Sequence, residues 1–188
     1  MSATPDPRPL TGEPLSLDLL NTRWMHDGAV QDLLTDTDGL AVWLAGNRLD
    51  FPATEAVLRH TLKAREALGA AIDGPPADSS RADGSLTDGA ARVDAVLAHG
   101  RVRMTLTAQG PGEEAEFGDP AWGPAWLAAR DYLELLSTAP DRIRGCAHEA
   151  CILHFFDTSR NGTRRWCSMA ACGNRAKASR HYARSREG

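Results

Sequence analysis

The only four cysteines of this 188-residue chain fall near its C-terminus, as Cys146, Cys151, Cys167 and Cys172, spaced C-x4-C-x15-C-x4-C. Each short-spaced pair lets one turn present two sulfurs, and the fifteen-residue connector brings the pairs together. Four soft thiolates in a tetrahedron are what a structural zinc takes. Two disulfides would need an oxidising compartment. The opening MSATPDPRPLTGEP has no apolar stretch of the kind a secretion signal carries, so a reducing cytoplasm is expected. An iron–sulfur cluster also uses four thiolates, but usually at tighter or differently arranged spacings. Zinc is therefore the expected metal and these cysteines its expected ligands. His148, His154 and His181 could each replace a thiolate; with four cysteines at hand they read as surface or packing histidines. A closed four-sulfur shell leaves no open position for substrate, and the chain has no glycine-rich phosphate loop, nucleophile elbow or H-E-x-x-H helix. No enzymatic activity is expected. The carboxylate pair Glu113-Glu114 sits in a Gly-rich turn and reads as solvent-exposed.

The segments between and after the cysteines decide what the metal would hold in place. CILHFFD is a β-prone run, Asn161-Gly162 is a favoured two-residue turn, and TRRWC leads back to the third cysteine, which predicts a hairpin with Arg160, Arg164 and Arg165 thrown outward at its tip. After Cys172, Gly173 and Asn174 predict a turn into a helix from about Arg175 to Arg184, with Lys177, Arg180, His181 and Arg184 on one face. From Asp141 onward ten Arg and Lys stand against four Asp and Glu, a local charge of +6. The first 140 residues carry 11 basic and 21 acidic groups, a local −10, so the net −4 hides a basic tail on an acidic body. Such a tail either binds phosphates, releasing counterions as it does so, or docks on the protein's own acidic part.

The C-terminal segment closely resembles the CGNR zinc finger, named for four residues that stand here as Cys172, Gly173, Asn174 and Arg175. The F-x-D-x-S-R-N element at Phe155, Asp157, Ser159, Arg160 and Asn161, the R-R-W-C run from Arg164 to Cys167, and Lys177 belong to the same resemblance. Upstream, LSLDLLNTR resembles the opening L-D-F-x-N-T of ABATE domains, with Leu19 where Phe is common, and Arg65-Glu66 resembles an R-E pair of that family. Proteins of this pairing are described as stress-induced or general transcription regulators of bacteria. The resemblance implies zinc at Cys146, Cys151, Cys167 and Cys172, and a nucleic-acid-binding finger. On that footing the finger contacts DNA, with RNA as the alternative, through Arg160, Arg164, Arg165, Lys177, Arg180 and Arg184. The front domain would sense a small-molecule effector or form a homodimer. A third reading makes the protein a ligand-binding or protein-interaction module with the finger as scaffold. Asn21, Thr22, Arg23 and Arg65 are the candidates for a ligand pocket, although polar residues at an element's end more often satisfy backbone groups.

The elements that must carry these residues are mainly helical, an α+β arrangement. Residues 1–14, with Pro5, Pro7, Pro9 and Pro14, read as flexible, 15–140 as a helical domain with a small β-hairpin, and 141–188 as the finger. LSLDLL is too brief to assign to strand or helix. Helices are expected over Asp36 to Asn47, over TEAVLRHTLKAREALGAAI, over Ala90 to His99, and from Asp119 to a stop at Pro140, with Pro124 tolerable only in a first turn. DGPPADSSRADGSLTD reads as a linker. RVRMTLTAQ alternates, placing Val102, Met104 and Leu106 on one face, and with a returning strand around Ala115 to Phe117 it predicts a hairpin packed on the helices. No apolar run approaches the roughly 20 residues of a membrane span.

Overall fold

The computed structural model describes residues 5–74 and 87–174. The helix expected over 175–184, with Lys177, Arg180, His181 and Arg184, lies outside the described residues, as does most of the expected linker.

The fold is α+β, helices first and a cysteine-bearing module last. Its elements are α1 (Leu15–Leu20), β1 (Arg23–His26), β2 (Ala29–Asp32), α2 (Thr37–Gly46), α3 (Glu55–Ile72), α4 (Asp88–Leu97), β3 (Gly100–Thr107), β4 (Gly110–Phe117), α5 (Gly123–Thr138), β5 (Ile143–Gly145) and β6 (His154–Phe156). Among the described residues three two-stranded antiparallel sheets form, β1 with β2, β3 with β4 and β5 with β6.

α3 is the central helix. Thr54 caps it, its hydroxyl accepting from the Val57 amide, and Val57, Leu58, Thr61, Ala64, Ala67 and Leu68 recur along one buried face. α1, α4 and α5 pack around it. α4 approaches so closely that a Cβ on Gly89 would lie 2.5 Å from the Ala70 carbonyl oxygen and 2.5 Å from the Ala71 Cα. α2 is capped by Asp36, which accepts from the Gly39 amide, and contributes Leu40, Trp43 and Leu44 to the core. Pro124 lies in the first turn of α5, where its missing amide costs nothing.

LSLDLL is a helix because its polar groups are answered there. Leu17 and Leu19 are buried, and Asp131 on α5 accepts from the Ser16 amide (2.8 Å) and hydroxyl (2.6 Å), taking up an amide of the helix start. Asp18, 1% exposed, accepts from Arg8 Nη1 (2.8 Å), Trp43 Nε1 (3.1 Å), Asn47 Nδ2 (2.9 Å) and the Gly12 amide (3.0 Å). This corrects the expectation that the first 14 residues are flexible throughout. The described part of that stretch is fastened by the buried Arg8, which also pairs with Asp6 at 2.7 Å.

The β1–β2 hairpin was not expected. Asp27 (φ 48°) and Gly28 (φ 77°) turn it in the doubly left-handed conformation that Asp-Gly favours. The β3–β4 hairpin is longer than expected on its return strand, and only its base packs on the helices. There Phe117 meets Phe51 and Trp126 edge-on, at 6.1 and 5.6 Å between ring centres. Beyond the base the hairpin is tied to α5 by an ion pair from Arg130 to Glu113 at 2.7 Å, and Met104 is left 69% and Leu106 83% exposed.

Candidate metal centre

The cysteine module begins where β5 runs into Cys146. The Cys146 amide donates to the Leu153 carbonyl at 2.9 Å, continuing the β5–β6 pairing, and the Cys151 amide donates to the His148 carbonyl at 2.9 Å, closing the first turn. The Ala147 amide donates to the Arg165 carbonyl at 2.9 Å, which draws the second pair alongside. Ser168 caps a π-helical turn over Met169–Gly173, its hydroxyl accepting from the Ala171 amide, and that turn carries Cys172. Helical structure thus starts before Cys172, earlier than expected.

The four Sγ atoms all lie within 4.8 Å of one another, and all four thiols are free. Cys151 and Cys167 are separated by 3.8 Å and Cys167 and Cys172 by 3.6 Å. Zinc–sulfur bonds of about 2.3 Å in a tetrahedron set sulfurs about 3.8 Å apart, so the donor set fits that ion. The Cys167 amide points at Cys146 Sγ at 3.4 Å, a hydrogen bond suited to a thiolate. The thiols cannot ionise independently. The hydrogen bond from Cys167 holds Cys151 down at about 5, the same contact pushes Cys167 far up, and burial pushes Cys172 up to about 12. Without a cation one thiolate suppresses the others; a dication makes four thiolates compatible.

The connector is not the predicted hairpin. β6 pairs with β5, upstream of the first cysteine, and the strand expected in TRRWC is absent among the described residues. Asn161-Gly162 does turn the chain (Gly162 φ 62°), but the loop around it is fastened by a carboxylate. Asp157 is fully buried and accepts from the Ser159 amide (2.9 Å) and the Arg164 amide (3.0 Å). Hydrogen bonding, led by Ser159, holds its carboxyl below the usual range. Arg142 donates to the Asp157 carbonyl (2.6 Å) and the Ser159 carbonyl (2.8 Å) from the other side.

The same loop separates the expected contact arginines. Arg160 and Arg165 are exposed, and Arg165 lies over the Trp166 ring at 5.3 Å. Arg164 is turned inward, a correction to its reading as a phosphate contact. Its guanidinium lies over Phe155 at 4.2 Å and donates to Glu13 Oε1 (3.1 Å), to the Trp166 carbonyl (3.1 Å) and to the Cys167 carbonyl. Carbonyls beside the metal ligand leave this cation occupied.

Three of the four proposed ligand-pocket residues, Asn21, Thr22 and Arg65, are likewise spent within the protein, while Arg23 is exposed. Asn21, fully buried, donates to the His154 carbonyl and accepts from the His154 amide, both at 2.8 Å, joining α1 to β6. Thr22 donates to the Leu19 carbonyl at 2.7 Å and accepts from Arg65 at 2.8 Å. Arg65 grips Asp32 through both terminal nitrogens, at 2.6 and 2.7 Å, and Arg23 approaches the same carboxylate at 3.9 Å. Burial, the largest single influence, opposes charge on Asp32, but the Arg65 hydrogen bonds, the Leu34 amide and the nearby Arg65 and Arg23 charges together outweigh it and hold its carboxyl below the usual range. The packing reading of His154 stands. It is 8% exposed, with Nε2 2.8 Å from Asp73 Oδ1. Sequence reasoning missed two features here. Glu13 accepts from the Phe156 amide at 2.9 Å as well as from Arg164, and Trp24, Met25 and His26 of β1 line a cavity of ≈ 140 Å³ against Cys151, Cys167 and Cys172. The Asp27-Gly28 dipeptide was the available signal for β1; nothing local marks Glu13.

Residues 142–185 match a family model described as the CGNR zinc finger. Residues 13–139 match the ABATE model, described as "Putative stress-induced transcription regulator". No curated protein matches the chain. Donor set, sulfur spacing and finger match together make Cys146, Cys151, Cys167 and Cys172 a structural zinc site.

Proposed function

This chain belongs to the ABATE family, and on that premise we propose that it regulates transcription by holding DNA on its C-terminal zinc finger. The observation that carries the reading is the division among the arginines around the finger's loop. Arg142 and Arg164 are consumed in building the loop, while Arg160 and Arg165 face outward from a backbone that the zinc, Asp157 and Arg164 make rigid. Fixed cations on a +6 segment suit a polyanion, and a rigid array avoids ordering long side chains on binding. Lys177, Arg180 and Arg184 fall within the matched finger and join the contact set on the strength of their sequence positions. Phosphate contacts give affinity without base reading, so selectivity falls to Asn161, Asn174 or one of the arginines in a groove.

In this reading the protein is not an enzyme, since a four-thiolate shell offers a substrate no open position. Its setting is a bacterial cytoplasm, where thiols stay reduced, and the front domain is the sensing or dimerising part. Among the described residues no helix is long and apolar enough to cross a membrane.

The test is binding of the full zinc-loaded chain to duplex DNA, structured RNA and single-stranded RNA over a range of salt. Duplex DNA is expected to bind most tightly, and replacing both Arg160 and Arg165 by Ala should flatten the salt dependence by about two phosphate equivalents. Preference for RNA would move the reading to the RNA alternative; no binding at low salt would end both. The finger's contacts with the front domain, Glu13 to Arg164 and Asn21 to His154, favour a second reading in which the finger is scaffold for an interaction module. Absence of nucleic-acid binding with an intact zinc site would select it.

A further inference from the structure

We propose that the β3–β4 hairpin is the homodimer contact of this protein, with two copies joined across a twofold axis through their β3 strands. Cross-strand pairing puts Val102, Met104 and Leu106 on one face with Ala115, Glu113 and Pro111. Val102, Met104 and Leu106 are 38%, 69% and 83% exposed, an apolar stripe along a hairpin that is packed at its base and held to α5 beyond it by an ion pair from Arg130 to Glu113. The other face is polar, with Arg101 and Arg103 both paired to Glu116 and Arg103 also to Glu114. Solvated hairpins rarely keep three large apolar side chains in a row on an exposed face; a continuous patch of this kind marks a contact. Arg130 of α5 reaches Glu113 at 2.7 Å on this same face.

A second copy is the occupant that the charges select. Among the described residues neither β3 nor β4 has another strand beside it, so both outer edges could be templates. Antiparallel pairing of β3 with its own copy, centred on Met104, sets Val102 against Leu106, Arg103 against Thr105 and Arg101 against Thr107. The apolar faces become continuous, and no like charges are directly opposed. Self-pairing of β4 opposes glutamates in every register centred between Glu113 and Ala115, and Pro111 removes an amide from that edge. Pairing β3 with the β4 of another copy satisfies the charges but does not close, and would grow into a polymer. The twofold β3 contact is the arrangement that is both complementary and closed.

This inference stands apart from the nucleic-acid reading, and its test uses no nucleic acid. Sedimentation of the full zinc-loaded chain between about 1 and 100 µM should show a monomer–dimer equilibrium. Leu106→Glu should abolish the dimer while leaving the thermal melt of the monomer unchanged, because the side chain is exposed. Thr105→Glu, placed opposite Arg103 of the other copy, should tighten the dimer by about two- to thirtyfold, and Thr105→Lys should weaken it by a similar factor. A chain that stays monomeric at the top of that range overturns the proposal. So does a dimer indifferent to Leu106→Glu, a ladder of larger species, equal responses to the two Thr105 variants, or a stripe that instead binds neutral lipid vesicles.

Discussion

Adjacent arginines at positions 164 and 165 differ in what surrounds them and so in what their loss should do. Arg164→Ala removes a charge-assisted contact with Glu13 and leaves carbonyls beside Cys167 without a donor. It should destabilise the finger by about 2–4 kcal/mol, seen as faster zinc release to a chelating dye, while Arg165→Ala should change stability by less than about 0.5 kcal/mol. Asp18 is the corresponding centre of the front domain. Asp18→Ala strips four donors, including the buried Arg8, of their acceptor, and should cost about 3–5 kcal/mol in denaturant unfolding. Asp32 supplies a pH dependence. Its folded pKa lies below its unfolded value of about 3.9, so its stabilisation is full above that value and fades as pH falls through the lowered one. Acid unfolding of Asp32→Asn should lose that part of the pH dependence; an unchanged acid limb would show that the Arg65 grip does not matter. At this scale the cysteines were legible because four thiols at such spacing have few other uses. The inward turn of Arg164 was not, because it depends on Glu13, 151 residues away.

Among the elements, the helices were read most reliably, since Asp36 and Thr54 announce their starts and the apolar period of α3 is sustained over 18 residues. LSLDLL could not be assigned because its stability comes from Asp131, Arg8 and Trp43, none of them local. The finger hairpin was misassigned for a related reason. Asn161-Gly162 is a strong turn signal, but Asp157 fastens the loop after it, leaving β6 to pair with β5. The alternation in β3 marks a strand, and the hairpin does pack on the helices at its base, but Met104 and Leu106 are left exposed, since period two marks a two-sided element without saying what covers its apolar side. α1 and β6 are joined through Asn21. Asn21→Ala should cost about 1–3 kcal/mol and speed amide exchange at His154 and Phe156, with little change in the centre of α3. Uniform acceleration across α3 and β6 would show instead that the two parts unfold as one.

For the whole molecule, the segregation of an acidic front from a basic end was plain in the composition, and the family matches follow the same division. What composition could not show is that the two parts are joined by buried polar contacts, so that part of the positive charge, Arg164 above all, is turned to holding the finger against the front domain. The finger is too small to bury a sufficient core of its own, and its order rests on that docking and on the metal. The decisive measurement is native mass spectrometry of the purified, reduced chain, with amide exchange before and after treatment with a strong zinc chelator. One zinc per chain is expected, and its removal should expose Cys146 to Cys172 to exchange while α3 and α5 stay protected. A chain that carries no stoichiometric zinc, or whose cysteine segment stays protected in the chelator, would contradict the account.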